Sequence, residues 1–183
     1  LILKNFVFEV CDAKPDWNMK DWINNACKDI AREVGPYRVL VALSGGVDSS
    51  VAARLIHKAI GKRLFAVFVD TGLLKAGETD RIRRIFGKLF EDSLQIVEAK
   101  DRFFTALKGV TDPEEKRRAI GFLFARIFEE IADQQRGLLF LAQGTLYSDV
   151  IESGKSVSGK AHIIKTHHNV GGLPERMQLK LIE

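Results

Sequence analysis

The chain has little of what marks membrane, secreted or disulfide-stapled proteins. Its longest uninterrupted apolar run, Leu64 to Val69, has six residues, whereas a membrane-spanning helix needs ~20. Its first residues do not show the charged and then apolar pattern of a secretory signal. Two cysteines, Cys11 and Cys27, are too few for a disulfide framework or a metal cage. We therefore expect a cytoplasmic protein with no membrane partner.

Composition indicates one ordinary folded domain. The 183 residues are 46% hydrophobic and 28% charged, with only 4 prolines, which excludes a disordered or fibrous chain. The formal net charge is +4. This mild excess suits an anionic small molecule as well as nucleic acid, so charge alone does not choose the ligand.

Hydrophobic patterning predicts an α/β fold. Short apolar runs without strict alternation are typical of strands covered on both faces, and the segments between them have helical periodicity. The prediction is a three-layer α/β/α domain with a mostly parallel, doubly wound sheet. The predicted strands are 39–43, 64–69, 94–97 and 138–142, and the predicted helices are 18–34, 51–60, a segment around 82–89 and a long helix from Pro113.

The long helix has clear signals at both ends. Asp112 is placed to cap it, Pro113 and Glu115 suit its first turn, and Gly137 follows its end. Its phenylalanines fit a core better than a ligand platform. The glycine- and serine-rich stretch 153–172 predicts a long loop, which in compact domains is usually a functional lid or a disordered segment.

One loop carries the chemistry. The run Leu43-Ser44-Gly45-Gly46-Val47-Asp48-Ser49-Ser50 stands between a buried strand and an amphipathic helix, where open parallel sheets bind ligands. Two glycines allow close backbone approach, and free amides and three hydroxyls suit a phosphate. Asp48 would repel that phosphate unless a cation lay between them, which indicates Mg²⁺.

Alternatives to a phosphate loop are weaker. The run lacks the lysine of the Walker motif and is not G-x-G-x-x-G, so neither common nucleotide fingerprint applies. A glycine-rich turn with an N-capping Ser or Asp explains Gly45 and Asp48 separately. It does not explain two glycines, three hydroxyls and an acid together at one strand-to-helix junction.

The loop resembles the pyrophosphate loop of the N-type ATP pyrophosphatases, whose fold is adenine nucleotide alpha hydrolase-like. Four further segments together closely resemble the synthetase domain of the glutamine-hydrolysing GMP synthetases, and the resemblance covers nearly the whole chain. These segments are 14–17 (KPDW), 110–117 (VTDPEEKR), 142–147 (AQGTLY) and 165–175 (KTHHNVGGLPE).

The resemblance implies a ligase that uses ATP and Mg²⁺. ATP would adenylate the 2-oxygen of XMP, and ammonia would then displace AMP to give GMP. Pyrophosphate would be held by Ser44, Gly45, Gly46, Val47, Asp48, Ser49 and Ser50, with Asp48 also near the metal. The other nucleotide-binding positions it implies are Val69, Asp70, Phe124, Gly144 and Thr145.

The resemblance also implies a lid that carries Lys165, His167 and His168 as catalytic groups beside Asp48. A fixed cation would stabilise negative charge that grows on the departing pyrophosphate, and a closed lid would exclude water. Metal ligation by the paired histidines is the rival interpretation. It is weaker because no further Cys, Asp or His stands at ligand spacing.

Resemblance suggests that the chain is part of a larger enzyme. Residues 1–15 resemble the tail of an amidotransferase domain, and 16–183 would be the ATP pyrophosphatase domain without the dimerisation domain that follows it in the family. We expect ammonia from an amidotransferase domain or subunit, a homodimer in the full-length protein, no nucleic-acid partner, and little GMP from these residues alone. Lys75 stands where the family usually has Arg, and Ser148 where it usually has Pro, which bears on substrate affinity.

Two rivals have different chemistry. A tRNA thiolase can carry a similar loop but needs nucleophilic cysteines farther along, and no cysteine follows Cys27. A non-catalytic sensor would use the loop merely to bind ATP or AMP and would show no XMP-dependent pyrophosphate exchange.

Overall fold

The computed structural model describes residues 1–144 and 179–182. Several of the sequence predictions lie outside these residues, so their placement stays a prediction. They are Thr145, the lid residues Lys165, His167 and His168, and the loop 153–172.

Five parallel strands form the central sheet. Every pair of neighbouring strands is parallel, and the strand order is β3-β2-β1-β4-β5. The strands are β1 (Arg38–Leu43), β2 (Leu64–Asp70), β3 (Leu94–Glu98), β4 (Leu138–Ala142) and β5 (Lys180–Ile182). All seven residues of β2 are buried, as expected for a strand covered on both faces.

Helices cover both faces of the sheet. On one face, α2, α3 and α4 bury a core that includes Val34, Ile56 and Phe86. On the other face, α5 and α6 bury a core that includes Phe103 and Ile127. This confirms the three-layer, doubly wound prediction. The helices are α1 (Ile2–Asn5), α2 (Met19–Val34), α3 (Val47–Ile60), α4 (Glu78–Phe90), α5 (Lys100–Leu107) and α6 (Pro113–Gln134).

The connections create a switch point beside β1. Helices α3 and α4 lead outward from β1 to β2 and β3, and the chain then returns through α5 and α6 to β4 on the other side of β1. In open α/β sheets ligands bind at the carboxyl ends of strands where the order reverses in this way. The expected site therefore lies between the ends of β1 and β4.

The elements differ from the sequence prediction at a few points. Helix α3 begins at Val47, four residues before the predicted start at Val51, so the second half of the glycine-serine loop is its first turn. Helix α5 and strand β5 were not predicted. Helix α5 buries only Phe103 and β5 has three residues, so neither leaves a clear periodic signal.

The first 17 residues add nothing to the core. Helix α1 and a π-helical turn at Phe6–Val10 follow one another, and every residue from 1 to 17 is exposed. Among the described residues, no helix is long and apolar enough to cross a membrane.

Candidate nucleotide-binding site

The loop after β1 is shaped by glycine and held by serine. Gly45 has φ of +81°, a left-handed conformation that glycine adopts without the Cβ penalty of other residues. The Ser49 hydroxyl accepts a hydrogen bond from the Ser44 amide at 3.2 Å and lies 3.0 Å from the Ser44 hydroxyl. It also donates to the Gly46 carbonyl. Ser44 and Ser49 therefore fix the loop from within.

The loop opens directly onto an uncapped helix. The first intrahelical bond of α3 runs from the Ser50 amide to the Gly46 carbonyl, so the amides of Val47, Asp48 and Ser49 have no intrahelical acceptor. No side chain of residues 1–144 or 179–182 caps this terminus, whereas Asn18 caps α2 and Asp112 caps α6. The alternative of an N-capped turn is not what forms here. Three free amides at a positive helix end suit an anion.

Asp48 stands in the first turn of α3 with an exposed side chain. Within residues 1–144 and 179–182 its carboxylate has no hydrogen bond or ion pair, and no group of three His, Cys, Asp or Glu side chains could enclose a metal. Mg²⁺ is commonly held by one or two carboxylates together with substrate phosphates and water. An exposed carboxylate in the first turn of α3, next to the amides of Val47 to Ser49, fits that mode of binding.

Gly144 closes the other side of the loop. It follows β4, and a Cβ added to it would lie 2.9 Å from the Asp48 carbonyl carbon and 3.0 Å from the Ser49 amide nitrogen. Such distances are too short for any side chain, so only glycine allows this backbone approach. The structure thus places Gly144 next to Ser44–Ser50, and nucleotide binding by these expected positions stays a prediction.

A second loop, after β2, is organised by Asp70. Its side chain, 7% exposed, accepts hydrogen bonds from the Gly72 amide and the Thr79 hydroxyl, both at 2.9 Å. It also pairs with the Lys100 ammonium at 3.6 Å. The carboxylate therefore joins the loop to the starts of α4 and α5.

These contacts decide the protonation of Asp70. Burial, the largest single influence, acts to raise its pKa, but the Gly72 amide, the Thr79 hydroxyl and the Lys100 cation together lower it below 3.8. Asp70 is thus held as a carboxylate.

Glu78 links the two loops. Its carboxylate accepts a hydrogen bond from the Lys75 amide at 3.3 Å, and its other oxygen would lie 2.9 Å from a Cβ on Gly45. The Glu78 carboxylate, at the start of α4, therefore lies between the loop after β2 and left-handed Gly45, with Lys75 exposed beside it.

Val69 and Phe124 share the opposite face of the sheet from α3. Val69 is buried, and half-buried Phe124 packs against the same core cluster. The Phe124 ring lies edge-on to Phe103 at 5.2 Å and tilted against Phe128 at 6.0 Å. Both residues belong to the α5–α6 side of the sheet. Nucleotide binding by either one, which the family resemblance implies, stays a prediction.

Sequence reasoning missed four polar residues around the site. Glu78, Thr79 and Lys100 come from elements that follow β2 and β3, and their roles depend on packing between elements. Gln143, next to Gly144, has a buried side-chain oxygen. Asp70, in contrast, was among the expected nucleotide-binding positions, and Asp two residues before Gly also favours a turn that its own side chain closes.

Comparison with known families gives the site a context. The sequence model of the NAD synthase family matches residues 19–128, more than half of the chain. The chain belongs to the NAD synthase family. The matched residues of this family member run from α2 through most of α6 and include the whole loop after β1. The domain is therefore of the ATP pyrophosphatase type.

Curated relatives of this NAD synthase family member carry a different enzyme name. A GMP synthase [glutamine-hydrolyzing] of Thermomicrobium roseum is 55% identical over 184 residues, which is all of this chain and 35% of that protein. One from Coxiella burnetii is 53% identical over 182 residues and is covered to 34%. The chain spans about a third of the length of these relatives. The resemblance to the GMP synthetases is confirmed.

Solved structures share the fold. An NH3-dependent NAD synthetase from Campylobacter jejuni, in complex with the nitrate ion, has a TM-score of 0.61 at 16% identity, over 81% of this chain and 63% of that chain. An NMN synthetase from Francisella tularensis also reaches 0.61, at 15% identity, over 75% and 58%. This NAD synthase family member therefore has the expected adenine nucleotide alpha hydrolase-like fold.

Proposed function

We propose that the chain is the ATP-binding and adenylating part of an enzyme that aminates XMP to GMP. The 2-oxygen of XMP attacks the α-phosphorus of ATP, the bond to the β-phosphate breaks, and pyrophosphate leaves. Ammonia then attacks carbon 2 of adenyl-XMP, loses a proton, and AMP departs. The single observation that carries the proposal is the uncapped first turn of α3 behind left-handed Gly45.

Each part of this turn has a stated task. The amides of Val47, Asp48 and Ser49 point the positive end of α3 at the pyrophosphate, where negative charge grows as the bond to the α-phosphate breaks. Ser44 and Ser49 hold the turn in place before the substrate arrives. Mg²⁺ bound by Asp48 and the phosphates would supply further positive charge to the leaving group.

The proposal extends to groups outside the described residues. Lys165, His167 and His168 would act from a lid over the phosphates, and Thr145 would continue the contact that Gly144 begins. An amidotransferase domain or subunit would deliver ammonia in the cytoplasm, and the full-length protein would be a homodimer. The division at residue 15 into an amidotransferase tail and an ATP pyrophosphatase domain belongs to the same proposal.

Amidation of an NAD precursor is the second candidate, because the NAD synthase family model matches more than half of the chain. It would use the same ATP cleavage at the same loop. The GMP synthases are 53 to 55% identical to this chain, whereas the solved NAD synthetase is 16% identical. The much closer identity favours XMP as acceptor.

ATP–pyrophosphate exchange on the intact protein tests the proposal. Exchange is measured side by side with XMP, IMP and nicotinic acid adenine dinucleotide, at equal concentrations of ATP and Mg²⁺. We expect exchange with XMP alone. Exchange only with the dinucleotide would establish the second candidate, and ATP binding without exchange under any condition would indicate a nucleotide sensor.

A further inference from the structure

Gln143 directly follows β4, at the switch point between β1 and β4. Leu141 packs into the core under α5 and α6, and Ala142 into the core under α2 to α4. Strand β4 ends at Ala142, and continuing the alternation of Leu141 and Ala142 by one residue assigns the Gln143 side chain to the α5–α6 side. Val69 and Phe124 pack on the same side.

The side-chain oxygen of Gln143 has no partner there. Oε1 is buried and accepts no hydrogen bond from the described part of the chain. Leaving a buried acceptor unpaired is costly, and the few such groups in native structures call for a specific cause. A ligand that donates a hydrogen bond at this point would remove the cost.

The neighbouring residue indicates which part of a ligand lies within reach. Gly144 approaches the Asp48–Ser49 backbone so closely that a Cβ would meet it at 2.9 to 3.1 Å. Gln143 is therefore one residue from the turn that faces the phosphates. In a nucleotide the sugar follows the phosphates directly, and the base lies farther out.

The chemistry of an amide selects among nucleotide groups. Phosphate oxygens only accept hydrogen bonds and cannot satisfy Oε1, whereas a hydroxyl both donates and accepts. A ribose hydroxyl can therefore pair with the carboxamide whichever way its oxygen and nitrogen are turned.

We propose that the Gln143 carboxamide binds a ribose hydroxyl of a substrate nucleotide and so determines the preference for ribonucleotides over deoxyribonucleotides. The inference rests on the proposed function, because it takes the loop after β1 as the phosphate site. The hydroxyl belongs to ATP or to the acceptor nucleotide. The two sources share one chemistry and are separated by the experiment below.

The variant Gln143→Met tests the role on the intact protein. Methionine has a similar length and removes the unpaired acceptor, so the melting temperature should stay level or rise. Nucleotide binding should weaken about 5- to 50-fold, because a donor on the ligand loses its partner. Gln95→Met is the matched control: Gln95 is half-buried in β3, and its replacement should leave nucleotide binding unchanged.

Deoxynucleotides identify the hydroxyl. ATP is compared with 2′-deoxy-ATP and 3′-deoxy-ATP by direct binding, and XMP with 2′-deoxy-XMP and 3′-deoxy-XMP in the exchange assay. We expect the original protein to discriminate in one arm and Gln143→Met to lose that discrimination. Loss in the ATP arm assigns the hydroxyl to ATP, and loss in the XMP arm assigns it to the acceptor.

The results that overturn the inference are distinct from failure of the proposed function. Unchanged discrimination in both arms overturns it, and so does a drop in melting temperature with equal weakening for every nucleotide, which marks a structural residue. If the protein binds ATP but shows no XMP-dependent pyrophosphate exchange, the proposed function is rejected. The comparison of ATP with its deoxy analogues then still tests the role of Gln143. A protein that does not bind ATP overturns both.

Discussion

At the scale of single residues, Gly45 and its contacts determine the phosphate loop. Gly45 combines φ of +81° with a position where a Cβ would meet a Glu78 oxygen at 2.9 Å. Any other residue therefore strains the backbone and also displaces the Glu78 carboxylate, the end of a flexible side chain.

Gly45→Ala should lower nucleotide affinity at least about 10-fold, because the strained loop no longer aligns the free amides of α3. The measurement is ATP binding by titration calorimetry together with the free energy of unfolding. Gly137→Ala is the matched control, since Gly137 has φ of +78° with nothing within 4 Å. Both variants should lose about 1 to 2 kcal/mol of stability, and equal ATP affinity in the two would contradict the role given to Gly45.

Part of the candidate site could be predicted from the sequence. Ser44–Ser50 form the loop after β1 and the first turn of α3, and glycine and hydroxyl residues at a strand-to-helix junction carry a local signal for such a loop. Gly144 was implied only by the family resemblance, and the structure places it against the Asp48–Ser49 backbone. Glu78, Lys100 and Gln143 give no such signal. Their importance depends on which loop meets which across the edge of the sheet, and that is set by tertiary packing.

At the scale of elements, Asp70 fastens the loop after β2 to α4 and α5. Its lowered pKa means that the carboxylate stabilises the fold at pH values above its ordinary pKa of 3.8, and that this contribution is lost as the pH falls through the lowered value. The sign follows because the folded state binds the proton less readily than the unfolded chain.

Asp70→Asn should cost about 1 to 2 kcal/mol at pH 7, since the amide retains an oxygen for Gly72 but loses the charge that pairs with Lys100. Urea unfolding measured from pH 7 to pH 3 should show the difference shrinking below about pH 4. Asp80→Asn is the control. Among the described residues its exposed carboxylate pairs with Arg83 on the same helix alone, so the substitution should cost under about 0.5 kcal/mol. A larger loss than for Asp70→Asn would refute the assignment.

The helices and strands were predicted correctly where the sequence has a clear apolar run or helical periodicity. Strands β1 to β4 and helices α2, α4 and α6 follow from apolar runs and periodicity, and the Asp112 cap forms as expected. The start of α3 was missed because its first turn contains Asp48, Ser49 and Ser50, which read as loop residues. They are tolerated there because acidic and hydroxyl groups suit a helix N-terminus.

At the scale of the whole molecule, the domain core begins at α2. Residues 1–17 are all exposed, and their apolar members include Ile2, Leu3, Phe6 and Trp17. Val34 of α2, in contrast, is fully buried. The N-terminal segment and α2 therefore differ in what they add to stability.

Deleting residues 1–17 should change the melting temperature by less than about 2 °C and leave ATP binding intact. Deleting residues 1–36 is the comparison. It removes Val34 and its neighbours from the core and should lower the melting temperature by at least about 5 °C. A large loss from the shorter deletion would mean that the segment has a stabilising role in the fold.

Because the strands are parallel, the edge of the sheet where they begin lies away from the candidate nucleotide site. The turns that enter β1, β2, β3 and β4, among them Gly61–Arg63 and Glu91–Ser93, lie at the edge opposite the phosphate loop. Exposed Glu91 and Asp92 are therefore suitable positions for attaching a dye, an affinity tag or a surface tether. Such an attachment would leave the candidate nucleotide site accessible, so the domain could be studied by immobilised kinetics and single-molecule recording.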